Sequence, residues 1–508
     1  MRHPPIQDWP EHLAAVRVLS SYHDPAMRFA EYFTIDLGRT QYLAYYLAAW
    51  ALTPMLGVRI ANVVLMSAAL IGLPYALRAL LGALGRPRGY ALFALPLAWN
   101  AHLILGFLNF IVALPLMLWG LSLSVRQRER PTRLRAAGLA ALAVVLFYTH
   151  VVPFAFFAVG VVLVSVGDGA RASARRLLPL APSAACALAW LASSPAGRAT
   201  LAAAGLVTAG SIGAPAAGRA APTYQPWGVS LQELPRWLTD VLPGDADDKT
   251  LVVWAVAALV TLALGVAARR GRADGPVADR RADSEPTHDS EATRGALTAR
   301  LGLLCPLAAL GYFVAPTSYD WIWPINARFA LIAALFVPLV LPRVRGVAYG
   351  VVVASVAAAG LVDTAAVGRA FVEFERHEVG ALDATVHEIP MGARVAALVF
   401  DRGSRYVRFS PFLHAASWVQ LERGGAVMFT FDDFPQSPVR FRATNRPPRV
   451  PPRWEWTPER VDPDRDLGWY DYVLVRGGPG RIAQSAGWRL IDDRAPWRLF
   501  ARVRGAGP

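Results

Sequence analysis

A mainly α, polytopic helical membrane bundle of about ten transmembrane helices, carrying a small C-terminal α/β domain, is predicted by three features of the sequence. The first is composition: 55% of the 508 residues are hydrophobic and only 17% charged, with a mean hydropathy of +0.34. Soluble domains average about 25% charged residues. The second is the arginine pattern, which alternates with apolar runs. The third is a change after about residue 363, where the long apolar runs give way to short mixed segments.

Ten apolar stretches read as spans: 58–83, 89–103, 105–125, 136–150, 151–167, 177–192, 249–268, 300–316, 325–341 and 346–362. Several fall short of the roughly 20 residues that cross a bilayer, so their ends must extend into flanking residues or be packed inside the bundle. An earlier stretch, TQYLAYYLAAWALTPMLG (40–57), carries three tyrosines and a tryptophan. Amphipathic rings of this kind favour the headgroup level, so it reads as an interfacial helix. Residues 1–57 form the first extracytoplasmic loop in this division, 58–363 the bundle and 364–508 the C-terminal domain.

The net charge of +14 comes almost wholly from arginine, Lys249 being the sole lysine. A basic chain can signal nucleic-acid binding, but these arginines sit between apolar runs and in the last third, so topology explains them first. GRPRG (85–89), RQRERPTRLR (126–135), GARASARR (169–176), RRGR (269–272) and PRVRG (342–346) occupy alternate connections. The positive-inside rule makes all five cytoplasmic without a violation. The outer face then holds residues 1–40, the turns near 100–105 and 149–151, the loops 193–248 and 316–324, and everything after 363. Both termini lie outside, so a further transmembrane helix is expected upstream of residue 1. The cytoplasmic loop 269–299 is polar and mixed in charge, which predicts disorder. In the outer loop, Val229, Leu231, Leu234, Leu238 and Val241 predict a short apolar face. Cys186 and Cys305 lie in apolar segments and make no disulfide framework.

In the last third, 368–389 reads as a helix, 394–400 as a strand, 410–425 as a helix closed by glycine and 426–431 as a strand. The prolines of 446–459 exclude regular structure there. Residues 470–477 read as a buried strand and 488–503 as a terminal hairpin. The alternation predicts a small layered α/β domain. It has no GxGxxG or Walker motif, so nucleotide binding has no support.

Polar residues recur where spans meet the outer surface. They are Asp8, Glu11 and His12 in QDWPEHLAAV, and Asp36 and Arg39 ahead of the aromatic segment. Asn100, His102 and Asn109 lie in WNAHLILGFLNF, His150 in FYTH, and Tyr319, Asp320 and Arg328 in PTSYDWIWPINARF. Ionisable groups at membrane depth are costly and tend to line an aqueous cavity or bind something. Each also has a structural alternative. Asp8 can cap a helix that has proline in its first turn. The histidines can be packed helix-end residues, the asparagines can join helices, and Arg328 can snorkel to the interface. No ligand spacing supports a metal at His12, His102 and His150.

The order of elements resembles the GT-C class of integral-membrane glycosyltransferases, which includes protein O-mannosyltransferases and lipid A aminoarabinose transferases. The resemblance is carried by the acidic motif QDWPEHLAAV, the basic aromatic segment DLGRTQYLAYYLAAWALTPMLG and the span opening VRIANVVLMSAAL. It departs from the class in lacking a first transmembrane helix and in having His12 where relatives often carry arginine. It implies transfer of a sugar from a polyprenyl-phosphate carrier to a glycan, lipid or protein acceptor, at the outer face of a bacterial inner membrane. Asp8 is then the general base, with Glu11 or His12 tuning it or holding the acceptor, and Arg328 and Arg39 grip the departing phosphate. The donor substrate is the polyprenyl-phosphate sugar; no other cofactor is implied, and a divalent metal is left open. Competing readings are a transporter, flippase or ligase of lipid-linked glycans, and a non-catalytic envelope protein whose outer domain binds glycans. Transport would favour charges in mid-span, and these spans are nearly charge-free there.

Overall fold

In the computed structural model, residues 1–194, 197–198, 201, 221–273, 288–319, 322–434, 436–448 and 454–503 are described. The first loop forms helix α1 (Trp9–Ser20), a single turn α2 (Phe29–Tyr32) and a short strand β1 (Phe33–Ile35). The bundle follows with α3 (Ala44–Ala83), α4 (Ala101–Leu105), α5 (Leu108–Glu129), α6 (Arg133–Phe147), α7 (Val151–Ser165), α8 (Ala170–Leu177) and α9 (Ala181–Ser193). It continues with α10 (Trp227–Thr239), α11 (Ala246–Ala273), α12 (His288–Gly302), α13 (Leu304–Val314), α14 (Ala327–Val340) and α15 (Gly346–His377). Six helical stretches among the described residues are long and apolar enough to span a bilayer. Val151–Ser165 and Ala327–Val340 are shorter apolar helices.

The long helix α3 is two helices across a corner. Gly57 sits inside it at φ 73°, ψ 158°, a conformation that costs a residue with a Cβ but not glycine. The aromatic segment therefore ends, and the 58–83 span begins, at the boundary the composition predicts.

The stretch expected to span as 89–103 is not an α-helix. Residues Arg88–Ala94 form a 3₁₀ turn, the chain then runs irregularly through Pro96, and Asn100 caps the five-residue α4. Proline removes a backbone donor and clashes with the preceding turn, which stops a helix from propagating. The segment is laid along α15 over most of a span's length. The Gly89 amide donates to the Tyr349 hydroxyl at 3.0 Å, and the Trp99 indole donates to Thr364 Oγ1 at 3.1 Å. Fifteen helical residues separate those contacts, a rise of about 22 Å. Gly360 makes the approach possible: a Cβ there would lie 2.6 Å from Leu95 Cβ. Irregular backbone at such depth is tolerated only when buried in protein, and Tyr90, Ala91, Phe93, Ala94 and Leu97 are buried.

One further expectation changes. Helix α11 runs through Ala273 and α12 begins at His288, so both ends of the loop expected to be disordered over 269–299 are helical; its middle, 274–287, lies outside the described residues. In α10, Leu238 and the following Val241 are buried and Leu234 packs on the core, but Leu231 and Val229 are exposed. The bundle covers the Leu234, Leu238 and Val241 part of the predicted face, and Val229 and Leu231 stay uncovered by protein.

The C-terminal unit opens with the last turns of α15, which reaches His377. Gly380 (φ 61°) breaks the helix predicted over 368–389 before α16 (Leu382–His387). Strand β2 (Arg394–Val399), α17 (Ala416–Arg423), the two-residue β3 (Ala426–Val427), β4 (Val439–Phe441), the single turn α18 (Pro463–Asp466), β5 (Tyr472–Arg476), β6 (Trp488–Arg494) and β7 (Trp497–Arg502) follow. The predicted helix and strand over 410–431 shrink to α17 and β3. The five-stranded sheet has order β3-β2-β5-β7-β6, with β3, β2 and β5 parallel and β7 antiparallel to β5. Strands β2 and β5 are apolar and buried almost throughout, as central strands covered on both faces must be.

The first loop is stitched to this unit. β1 pairs antiparallel with β4, matching Phe33 to Phe441 and Ile35 to Val439. The Phe33 and Phe441 rings stack 4.8 Å apart. Arg17 Nε donates to the Leu421 carbonyl at 2.9 Å, and the Gly425 amide to the Met27 carbonyl at 2.8 Å. Helix α1 therefore lies against α17 on one side and α3 on the other.

Candidate functional site

A cavity of about 180 Å³ opens where α1, the α4–α5 turn, the Ile322–Arg328 segment and the 431–436 loop meet. Asp8, His12, Tyr42, Tyr46, Asn109, His150, Arg328 and Gln436 supply its polar lining. Phe107, Trp323, Phe431 and Phe434 supply aromatic walls.

Asp8 is placed by its backbone. The Gln7 amide donates to Ile104 O at 2.8 Å and the Asp8 amide to Leu105 O at 3.3 Å, pinning the start of α1 to the α4 turn. Gly106 permits that contact. It has φ 93°, and a Cβ there would lie 2.6 Å from Asp8 Cβ and 2.8 Å from Asp8 N. Asp8 occupies the N-cap position, yet its φ −92°, ψ 3° is not the extended conformation of a capping residue and its side chain makes no cap hydrogen bond. The capping reading of this carboxylate therefore fails. Oδ1 accepts from Gln7 Nε2 at 3.3 Å and lies 3.2 Å from His414 Nε2.

His12 lies one turn on, with Nε2 2.9 Å from the Gly106 carbonyl and Nδ1 2.8 Å from the Tyr46 hydroxyl. A carbonyl only accepts, so Nε2 carries the hydrogen and Nδ1 accepts from the tyrosine. Burial, partly opposed by Asp8 and by the Gly106 hydrogen bond, lowers its pKa to about 4. His12 is thus a neutral post between first loop and bundle. Glu11 faces away from the cavity: Ser417 Oγ donates to Oε1 at 2.6 Å and the Phe431 amide to Oε2 at 2.9 Å. Burial pushes its pKa up to about 7 against the charge of His414 and both hydrogen bonds. Its place is between α1 and the C-terminal unit, not in the cavity wall.

Arg328 enters from the first turn of α14. Its guanidinium carbon sits 4.9 Å over the Phe107 ring. Nε is sealed from solvent with no hydrogen-bond partner among the described residues. The side chain is half-buried and its open side is the cavity. Asn109 Oδ1 and Gln436 Oε1 are likewise buried without partners among the described residues. His150 lines the cavity too, while its Nδ1 accepts from the Val152 amide at 3.2 Å and caps α7.

No protein-family model matches the chain, and no curated protein matches it. Among solved structures, ArnT from Cupriavidus metallidurans in the apo state is similar in layout, with 11% identity and a TM-score of 0.41 over 100% of this chain and 96% of that one. A likeness of that size carries no functional argument.

The remaining residues singled out in the sequence do not reach the cavity. His102 is buried behind it, with Nε2 3.2 Å from Ala327 O and its ring stacked on Trp237. Asn100 is committed to its own turn, accepting from Leu103 N and donating to Leu97 O and Ala98 O. Asp36 is half-buried and pairs with Arg440 at 3.7 Å, and Arg39 Nη1 donates to Asp432 O at 3.4 Å. Tyr319 sits in an isolated bridge with Ile322. Asp320 lies outside the described residues.

The structure adds residues that sequence reading passed over: Tyr42 and Tyr46 on the aromatic segment, and Phe431, Phe434 and Gln436 more than 400 residues from Asp8. The signal for the latter was faint: FTFDDFPQ is aromatic and acidic without strand or helix periodicity. No group of three or more His, Cys, Asp or Glu among the described residues is placed to hold a metal ion. The arrangement offers one carboxylate, one cation and two amide groups around one open space.

Proposed function

We propose that the chain is a GT-C-like glycosyltransferase, an enzyme that moves a sugar from a polyprenyl-phosphate donor to a hydroxyl on a glycan, lipid or protein acceptor. The observation that carries this is the pairing, on one cavity, of Asp8, released from any capping role, with Arg328, whose buried Nε has no partner among the described residues. The resemblance of the first 170 residues to that class adds to it.

Asp8 takes the proton of the acceptor hydroxyl as its oxygen bonds to the anomeric carbon. The bond from that carbon to the phosphate oxygen breaks, and the polyprenyl phosphate leaves with its electron pair. An oxocarbenium-like transition state develops charge on the leaving phosphate, and a guanidinium meets phosphate oxygens with its fork of donors. A positioned carboxylate contributes typically 10²–10⁴-fold. The Asn109 and Gln436 amide oxygens suit sugar hydroxyls, and Trp323 and Phe434 offer rings to a sugar face or the first prenyl unit. The arginine pattern supports an outer-face position for the cavity; in this reading the membrane is a bacterial inner membrane and the bilayer is the chain's main partner.

The test is a reconstituted assay with polyprenyl-phosphate sugars. Asp8→Asn should lower turnover at least about 100-fold with donor affinity retained. Arg328→Ala should lose turnover and donor binding together. Full turnover in Asp8→Asn would remove the assignment of the base.

A further inference from the structure

Behind the cavity wall, on the side away from the substrate, stands a buried histidine that no sequence motif announced. His414 comes from the C-terminal unit, two residues before α17. Its Nε2 is 3.2 Å from Asp8 Oδ1 and its Nδ1 is 3.7 Å from Glu11 Oε1. The ring is stacked at 14° on Phe429, centroids 5.3 Å apart, with Phe431 against its edge. Packed this way it has little rotational freedom. It lines no part of the cavity that Asp8 lines.

We propose that His414 is the positioning residue of the base: it clamps Oδ1 of Asp8 from behind, leaving Oδ2 for the acceptor hydroxyl. This rests on the reading of Asp8 as the base. Among the described residues, Oδ1 is met by Gln7 Nε2 and His414 Nε2. The geometry makes base alignment depend on docking of the C-terminal unit, because α1 brings Asp8 and Glu11 while the segment around α17 brings His414 and Ser417.

The charged and titratable groups facing His414 are Asp8, Glu11 and His12 from α1 and Glu455 from the turn after residue 453. Burial works against its charged form. The contact with Asp8 and the charges of Asp8, Glu11 and Glu455 outweigh it, raising the His414 pKa above the ordinary histidine value. The clamp is thus a ring whose charged form is favoured by the contact with Asp8. Glu11, held by Ser417 and the Phe431 amide, lies 3.7 Å from the other ring nitrogen.

Two measurements decide the proposal, the first needing no substrate. In detergent-solubilised protein labelled with [¹³Cε1]-histidine, His414→Gln identifies the His414 signal among the nine histidines. Its titration midpoint should fall by at least about one pH unit in Asp8→Asn, since an opposite charge within ~4–6 Å shifts a pKa by about 1–3 units. An unchanged midpoint overturns the clamp. In the transfer assay, His414→Ala should lose turnover about tenfold or more, with the KM for donor changed less than about threefold. His414→Gln, which keeps a donor but no charge, should restore part of it. Wild-type turnover in a folded His414→Ala protein also overturns it. If the wild type transfers no sugar, the proposed function fails, while the titration still decides whether His414 holds Asp8.

Discussion

At the scale of single residues, the site is governed by contacts that tolerate no added atom. Gly106 has a positive φ and its missing Cβ is the space Asp8 occupies. Gly106→Ala should therefore cost both strain and overpacking, each about 1–3 kcal/mol. The expected outcome is a lower melting temperature together with turnover reduced as severely as in Asp8→Asn. Glu11 and His12 set a pH dependence whose sign follows from linkage. Glu11 titrates at about 7 in the folded protein against 4.5 for an ordinary glutamate, so between those values the folded state keeps a proton the unfolded state has lost. Stability falls there as pH rises. His12, lowered from 6.5 to about 4, acts in the opposite sense between those values. The two cancel where they overlap, leaving a net loss from pH 6.5 to about 7, to which His414, raised above its ordinary value, adds. Thermal melts should show the wild type losing stability between pH 6 and 8, and Glu11→Gln losing less.

At the scale of elements, the 88–105 segment and α15 form the contact most exposed to mutation. Gly360 on α15 faces the Leu95–Pro96 backbone, whereas Gly350, ten residues earlier on the same helix, has open space around its Cβ position. Gly360→Leu should prevent the segment from docking and abolish expression of folded protein. Gly350→Leu should leave the melting temperature within about a degree of wild type, since an open site adds no overpacking. The β1–β4 pair is the second such contact. Phe441→Ala removes a stacked aromatic pair worth about 0.5–1.5 kcal/mol beyond its buried area. It should speed hydrogen exchange of the Phe33–Ile35 amides without unfolding the bundle. The first loop and the C-terminal unit are legible as separate segments in the sequence, but their pairing is not. A three-residue strand carries too weak a period to read, and its partner lies 404 or more residues away.

At the scale of the whole molecule, the arginine pattern makes a topological prediction that the packing alone does not test. With Cys186 and Cys305 replaced, a cysteine at Arg130 should react with an impermeant reagent only after the membrane is opened. A cysteine at Gly403, exposed in the C-terminal unit, should react in intact cells. Labelling of position 130 from outside would reverse the orientation of every loop and move the cavity to the other face.

Composition and periodicity, read alone, determined the class of the molecule: the apolar runs, the boundary between the aromatic segment and the 58–83 span, the two buried strands of the C-terminal sheet and its closing hairpin. These follow from local physics, since hydrophobic length and strand alternation act within a few residues of one another. The outer-surface polar residues were legible as a set, and Asp8, His12, Asn109, His150 and Arg328 meet on one cavity. Which of them meet, and what stands behind them, only the tertiary structure decided. Asp8 meets His414 at 3.2 Å rather than capping its own helix, and Glu11 turned to the C-terminal unit, because burial and partner geometry depend on chain segments hundreds of residues apart. A sequence displays which groups are available; only packing shows which of them are left without partners to meet a substrate.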